Sequence, residues 1–143
     1  MQLPIKRIDL DLPLPRYAHE GDAGLDLFSA ESIVLEPFQR ALVGTGIAVA
    51  IPAGHAGFVQ PRSGRALKEG LSLPNAPGLI DSHYRGEVKV VLINLDPHQS
   101  LHISRGERIA QLVIQPIVTC EPQEVEELDR TARGEGGFGS SGI

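Results

Sequence analysis

Glycine and proline interrupt this chain so often that few stretches are long enough for an ordinary helix: 16 Gly and 11 Pro stand among 143 residues. Both disfavour helix interiors, glycine through backbone entropy and proline through its missing N–H, so the pattern predicts short strands separated by turns. Residues 3–8 alternate weakly and form a first strand that ends against Pro13 and Pro15. Leu25–Ser29 and Ile33–Leu35 follow, and Glu36-Pro37 turns the chain. Arg40–Ile51 is the longest β-rich run before the centre, with Ile47, Val49 and Ile51 on one face and small residues opposite. Gly57–Gln60, Glu87–Leu95, Leu101–Ser104 and Ile109–Val118 are further strands, and Glu87–Leu95 ends apolar on both faces, as a covered strand does. Only Arg65–Glu69 has plain helix-former composition, and Gly70 stops it. About ten short strands with one brief helix make a single all-β domain, a sandwich, jelly-roll or barrel.

The formal charge of -5 argues against general affinity for a nucleic-acid backbone, which needs a basic face, though it leaves room for a local basic pocket. One cysteine, Cys120, excludes an intrachain disulfide framework and a cysteine-based zinc site. No run approaches 18 apolar residues and Met1–Leu14 has no continuous apolar core, so a soluble, cytoplasmic protein without membrane contact is expected. Aromatic residues are few, with no Trp, 2 Tyr and 4 Phe, so an exposed one is a candidate for stacking on a ligand.

Five islands carry residue types suited to a phosphorylated ligand. Asn75–Val88 sets Asp81 at the end of a short apolar run, with Tyr84 three residues on and an Arg85-Gly86 turn before the next strand. Such a segment can hold a small polar ligand while one group is activated; the plainer reading is a β-hairpin with Asp81 and Ser82 as turn formers. Asp26 sits at a strand entrance, where it serves either as a turn residue or as an inward carboxylate. Pro61-Arg62-Ser63-Gly64 brings a guanidinium, a hydroxyl and unhindered amides to a helix start, a place that favours an anion; the alternative is a capping serine with its arginine in solvent. Gln111 lies in an otherwise apolar strand, where its amide needs a partner: a backbone group, an ordered water or a phosphate. The tail from Arg133 to Ile143 holds five glycines and cannot pack as a core element, so it is either disordered or a lid that closes over a nucleotide.

In this order and at these separations, the islands closely resemble the five motifs of the trimeric dUTP pyrophosphatases (dUTPases), spanning residues 23–142. The strings PRSG at 61–64, GLIDSHYRGE at 78–87 and RGEGGFGSSG at 133–142 carry the resemblance. It implies a distorted jelly-roll β-barrel with one short helix, a domain over residues 1–132, and an arm over 133–143 that closes an active site. The arm ends one residue beyond its motif, which predicts a short but complete closure.

The resemblance also implies hydrolysis of dUTP to dUMP and pyrophosphate, which limits uracil incorporation into DNA and supplies dUMP for dTMP synthesis. Three subunits would form a homotrimer, with each site assembled from motifs on different chains. Asp81 would be the general base that activates the attacking water and touches the sugar 3'-hydroxyl. Tyr84 would lie against the deoxyribose so that a 2'-hydroxyl does not fit, and Asn75 with nearby backbone would read uracil. Arg62, Ser63, Gly64 and Gln111 would hold phosphates, and Asp26 would meet Mg2+ through water. Arg133, Phe138, Gly139, Ser140 and Ser141 would form the closing arm, Ser141 standing where many relatives have threonine. Residues 119–132 match no motif. Two alternatives remain: a dCTP deaminase of the same superfamily, which typically uses a glutamate beside the base, and a non-catalytic nucleotide-binding protein on this scaffold.

Overall fold

The protein is described by a computed structural model over residues 1–137. Among these residues the elements run β1 (Ile5–Arg7), β2 (Leu25–Phe28), β3 (Ile33–Leu35), β4 (Arg40–Val49), β5 (His55–Gln60), α1 (Ser63–Glu69), β6 (Leu71–Ser72), β7 (Gly78–Ile80), β8 (Glu87–Asn94), β9 (Leu101–Ile103) and β10 (Arg108–Pro116). One four-stranded sheet has the order β1-β4-β8-β6, a second β2-β10-β5-β7, and β3-β9 form a ribbon. Every pairing is antiparallel. The two sheets enclose one hydrophobic cluster without closing into a continuous barrel.

The core follows from the period of two along each strand. Val88, Val90 and Leu92 of β8 point inward, while Lys89 between them is exposed. Val43, Ile47 and Val49 of β4 join them, with Leu27, Ile109 and Leu112 from the other sheet. Ile47, Val49 and Ile51 are buried as their pattern predicts. The end of β8 departs from expectation: Val91 and Ile93 are only half-buried, because this strand alternates to its end. Leu42, directly opposite Val91 in the register, is 60% exposed.

Helix α1 starts two residues earlier than its composition suggests and stops at Gly70, whose φ of 70° is the left-handed conformation that ends helices. Strand β6 has no counterpart in the sequence reading, since two residues are too few to show a period. Asn94 is fully buried and fully used: Nδ2 donates to the Leu35 and Gln99 carbonyls at 2.9 and 2.8 Å, and Oδ1 accepts the Asp96 amide at 2.9 Å. From Ile117 to Gly137 the chain forms no strand or helix, and it is exposed through Glu135. No helix among the described residues is long and apolar enough to cross a membrane.

The amino-terminal segment is tied to the β9–β10 turn by charge. Arg105 donates to both oxygens of Asp9, at 2.5 and 2.9 Å, and to the Ala30 carbonyl at 2.7 Å. Those bonds from Arg105 hold the Asp9 carboxyl below the usual carboxylate range. A carboxyl with a depressed folded pKa adds stability above its unfolded pKa and loses it as pH falls through the folded value. Asp9→Asn should therefore lower Tm at pH 7, and its gap from the wild type should close below about pH 3.9 as Asp9 itself becomes protonated. Thermal unfolding across that range is the measurement; a gap that persists in acid would mean that packing, not the ion pair, was lost.

Candidate active site

Strand β10 lies between β2 and β5, and its register sets Gln111 opposite Asp26 on one side and Gln60 on the other. Residues directly opposite in a sheet share a face, so the three form a polar row. Asp26 is buried, and two guanidiniums stand beside it. Arg108 Nη1 donates to Asp26 Oδ2 at 3.2 Å, and Arg62 Nε lies 3.4 Å from Oδ1. The second contact pairs charge without hydrogen-bond geometry, so Oδ1 is buried with no hydrogen-bond partner.

Arg62 reaches that point because Pro61 ends β5 and the backbone stays extended through Arg62, the N-cap of α1. No side chain caps the helix, and Arg62 is held by a carboxylate, so neither half of the capping-serine alternative is observed. Ser63 and Gly64 are the first helical residues, whose N–H groups have no intrahelical partner. They line a cavity of about 290 Å³ with Arg62, Gln111, Arg65, Lys68 and Glu69. Gln111 is half-buried and opens onto this cavity, so its amide faces space that water or a ligand can fill. Gly24 lies beneath it: a Cβ there would come within 2.9 Å of Gln111 Cβ.

Sequence reasoning misses Arg65, Lys68 and Arg108. The signal for the first two is present, since residues 62, 65 and 68 at helical spacing share a face. Arg65 is committed to carboxylates, 2.7 Å from Glu69 and 3.1 Å from Glu107. It thereby ties α1 to the turn before β10.

A second group forms around β7. Asp81 follows this strand, is exposed, and among the described residues accepts no hydrogen bond at its carboxylate. Its backbone does serve the turn, since Tyr84 N donates to the Asp81 carbonyl at 3.1 Å. Arg85 Nη1 donates to the Ser82 and Tyr84 carbonyls at 2.6 and 2.8 Å, holding the turn from inside. Tyr84 Oη donates to the Glu87 carbonyl at 2.9 Å. Asp81, Tyr84, Glu87 and Lys89 line a cavity of about 320 Å³ with Leu42 and Leu79. Asn75, in the crossover from β6 to β7, is exposed, with Nδ2 3.4 Å from where a Gly78 Cβ would sit.

The two groups line separate cavities with no residue in common. Val59 pairs with Gly78, so Gln60 at the arginine end faces position 77, four residues from Asp81. At about 3.3 Å per residue that is a separation of about 13 Å. Arg62, Ser63, Gly64, Gln111 and Asp26 are thus brought together, and Asp81 with Tyr84, but one chain does not join the sets. Arg133 joins neither: its Nε donates to Gly136 O at 2.8 Å within the tail. Phe138, Gly139, Ser140 and Ser141 lie outside the described residues.

A cationic cavity with free amides, paired with a free carboxylate beside an aromatic ring, suits a phosphorylated ligand that bears an organic group. The family model for dUTPase matches residues 11–142. The chain belongs to the dUTPase family. It is 60% identical over 139 residues to the deoxyuridine 5'-triphosphate nucleotidohydrolase of Corynebacterium diphtheriae, covering 97% of this chain and 91% of that one. Identity to the protein of that name from Rhodococcus erythropolis is 56% over 142 residues, covering 99% and 87% of the two chains. The dUTPase of Staphylococcus bacteriophage 80alpha with dUpNHpp superposes with a TM-score of 0.91 at 37% identity, covering 99% of each chain. A mutant dUTPase from phage phi11 of S. aureus, described with a structural Mg(II) ion, gives a TM-score of 0.83 at 31% identity, covering 91% of this chain and 100% of that one. Membership accords with the jelly-roll layout and with the order of the five islands.

The Asp26 cluster has an energetic consequence. Arg62→Ala leaves a buried carboxylate compensated by Arg108 alone, which should cost roughly 1–3 kcal/mol of stability. Adding Asp26→Asn removes the charge and should recover most of that loss. Urea unfolding of the two variants tests this, and equal stabilities would exclude the Asp26 charge as the cause.

Proposed function

We propose that this protein hydrolyses dUTP to dUMP and pyrophosphate by attack of water on the α-phosphorus. The observation that carries the mechanism is Asp81, an exposed carboxylate free of hydrogen bonds among the described residues, three residues before a tyrosine whose hydroxyl is already anchored. A carboxylate is charged at neutral pH, so Asp81 accepts a proton from water as its oxygen bonds to the α-phosphorus. The bond from that phosphorus to the oxygen bridging to the β-phosphate then breaks, and pyrophosphate leaves. Arg62, the Ser63 and Gly64 amides and Gln111 bind the phosphate chain and offset the charge that builds on it. Tyr84 excludes a 2'-hydroxyl, Asn75 reads the base, and Arg133 with the arm beyond it closes the site.

Mg2+ fits this arrangement only as an ion held by phosphate oxygens and water. Among the described residues no group of three or more His, Cys, Asp or Glu could cage a metal. Asp26 Oδ1, buried and ion-paired with Arg62 but without a hydrogen bond, is the acceptor left for a water of such an ion. When bound, the ion neutralises phosphate charge and orients the chain of phosphates. A cytoplasmic location belongs to the same reading, supported by the lone exposed thiol of Cys120.

A homotrimer with shared sites is supported by the division of the site into two cavities and by apolar side chains open on one chain, Leu42 and Leu79 among them. The tail from Ile117 to Glu135 is exposed throughout and, when extended, long enough to reach another subunit.

Incubation with dUTP and dCTP, followed for pyrophosphate and ammonia, tests the activity; ammonia from dCTP without pyrophosphate from dUTP would make the protein a deaminase. Asp81→Asn should keep nucleotide binding and lose on the order of 100-fold in kcat, as removal of a general base does. Near-normal turnover would assign water activation to another group. Co-expression of Asp81→Asn and Arg62→Ala chains should restore activity that neither has alone, because a mixed trimer contains sites with both wild-type residues. Failure to restore it in verified mixed trimers would put both residues of each site on one chain.

A further inference from the structure

We infer that Glu87 is a positioning residue for Tyr84, which sets how strictly the site rejects a ribonucleotide; this rests on the reading of Tyr84 as the filter against a 2'-hydroxyl. The pairing of β4 with β8 skips at this place: Gly44 faces Lys89, yet the next partners are Ala48 and Glu87. The extra residues of β4 form a bulge that is buried, and its polar groups need partners. Glu87 supplies one, its Oε1 accepting the Gly46 amide at 3.0 Å across the bulge. Thr45 supplies another, donating Oγ1 to the Val88 carbonyl at 2.6 Å. The first two residues of β8 are thus fixed to β4 from both sides.

Tyr84 hangs from that fixed point, since its hydroxyl donates to the carbonyl of Glu87. The ring lies so close to Gly86 that a Cβ there would come within 2.6 Å of Cζ. One end of the ring is therefore held by the carbonyl of Glu87 and one face by the bare backbone of Gly86. The Glu87 carboxylate has equally little freedom, because it packs over Gly44, where a Cβ would be 2.6 Å from Oε1. Lys89 Nζ stands 3.8 Å from the other oxygen and lines the cavity that holds Asp81 and Tyr84. Losing the carboxylate frees the bulge, lets the Glu87 carbonyl move, and gives the ring room to yield to an extra hydroxyl.

The test compares kcat/KM for dUTP and UTP in the wild type, Glu87→Ala, Glu87→Gln and Gly44→Ala, alongside the ring resonances of Tyr84, distinguished from those of Tyr17 with a Tyr17→Phe control. Glu87→Ala should lower the dUTP-over-UTP ratio by about tenfold, within what a steric pocket supplies against one added hydroxyl, and shift the Tyr84 resonances. Glu87→Gln should restore both, because its amide oxygen still accepts from Gly46. Gly44→Ala displaces the carboxylate without removing it and should act like Glu87→Ala, which guards against a variant that merely folds poorly. A merely structural role would lower kcat/KM for both nucleotides together and leave the ratio alone. An unchanged ratio with unmoved Tyr84 resonances overturns the inference. Moved resonances with an unchanged ratio support the positioning and overturn instead the reading of Tyr84 as the sugar filter.

Discussion

A carboxylate removed from water must be compensated, and Asp26 is compensated by guanidiniums from two distant pieces of chain. Arg62 comes from the turn after β5, and Arg108 opens β10, 82 residues beyond Asp26. The cluster therefore joins an early strand, a helix start and a late strand at one point. Breaking it would leave a bare charge inside the fold, so the backbone around it has little freedom. That rigidity matters to chemistry, because the amides of Ser63 and Gly64 are useful to an anion only if they already point at it. Arg62 is drawn to Asp26 through Nε, an attachment that leaves its terminal nitrogens for a ligand. On the proposed reading the same residue serves stability and electrostatics without having to choose between them.

The second rigid unit is the turn from Asp81 to Glu87, which satisfies itself: Arg85 holds two of its carbonyls and Tyr84 closes on a third. The Asp81 carboxylate accepts no hydrogen bond among the described residues. Strand β7 connects this turn to the crossover that carries Asn75, and its pairing with β5 fixes how far Asp81 stands from the anion cavity on the same chain. A β-strand cannot be shortened, so the Asp81 carboxylate and the cavity beside Arg62, at opposite ends of one strand pair, do not converge by local movement. On the proposed reading a second copy presents the complementary half, which would couple activity to assembly.

Much of this is legible in the residues. The apolar face of Ile47, Val49 and Ile51, the stop at Gly70 and the breaks at proline each have a local cause, and they appear where that cause puts them. What is not legible depends on contacts distant in sequence. Arg108 looks like any charged residue at a strand start until β2 is placed beside it. Arg65 looks like an exposed helix residue until the β9–β10 turn brings Glu107 to it. The apolar neighbours of Gln111 call for a hydrogen-bond partner; the structure gives it a cavity instead, which only the neighbouring helix start creates. Strand β6 shows the opposite limit, a real pairing with β8 carried by too few residues to leave a pattern.

The glycines that first limited the fold turn out to have two separate uses. Gly46 and Gly70 adopt positive φ and serve backbone shape. Gly24, Gly44 and Gly86 have no such conformation, and each lies beneath a side chain assigned to the site or its support: Gln111, Glu87 and Tyr84. At each, a single added carbon would stand 2.9 Å or less from that side chain, closer than carbon and oxygen atoms pack. These positions are clearances cut to the backbone so that functional groups can lie flat on a sheet or turn. An alanine at any of them would cost little in helix or strand propensity yet displace a particular side chain. In a chain so poor in aromatics, with few large groups to wedge a site into shape, shape is obtained by leaving atoms out.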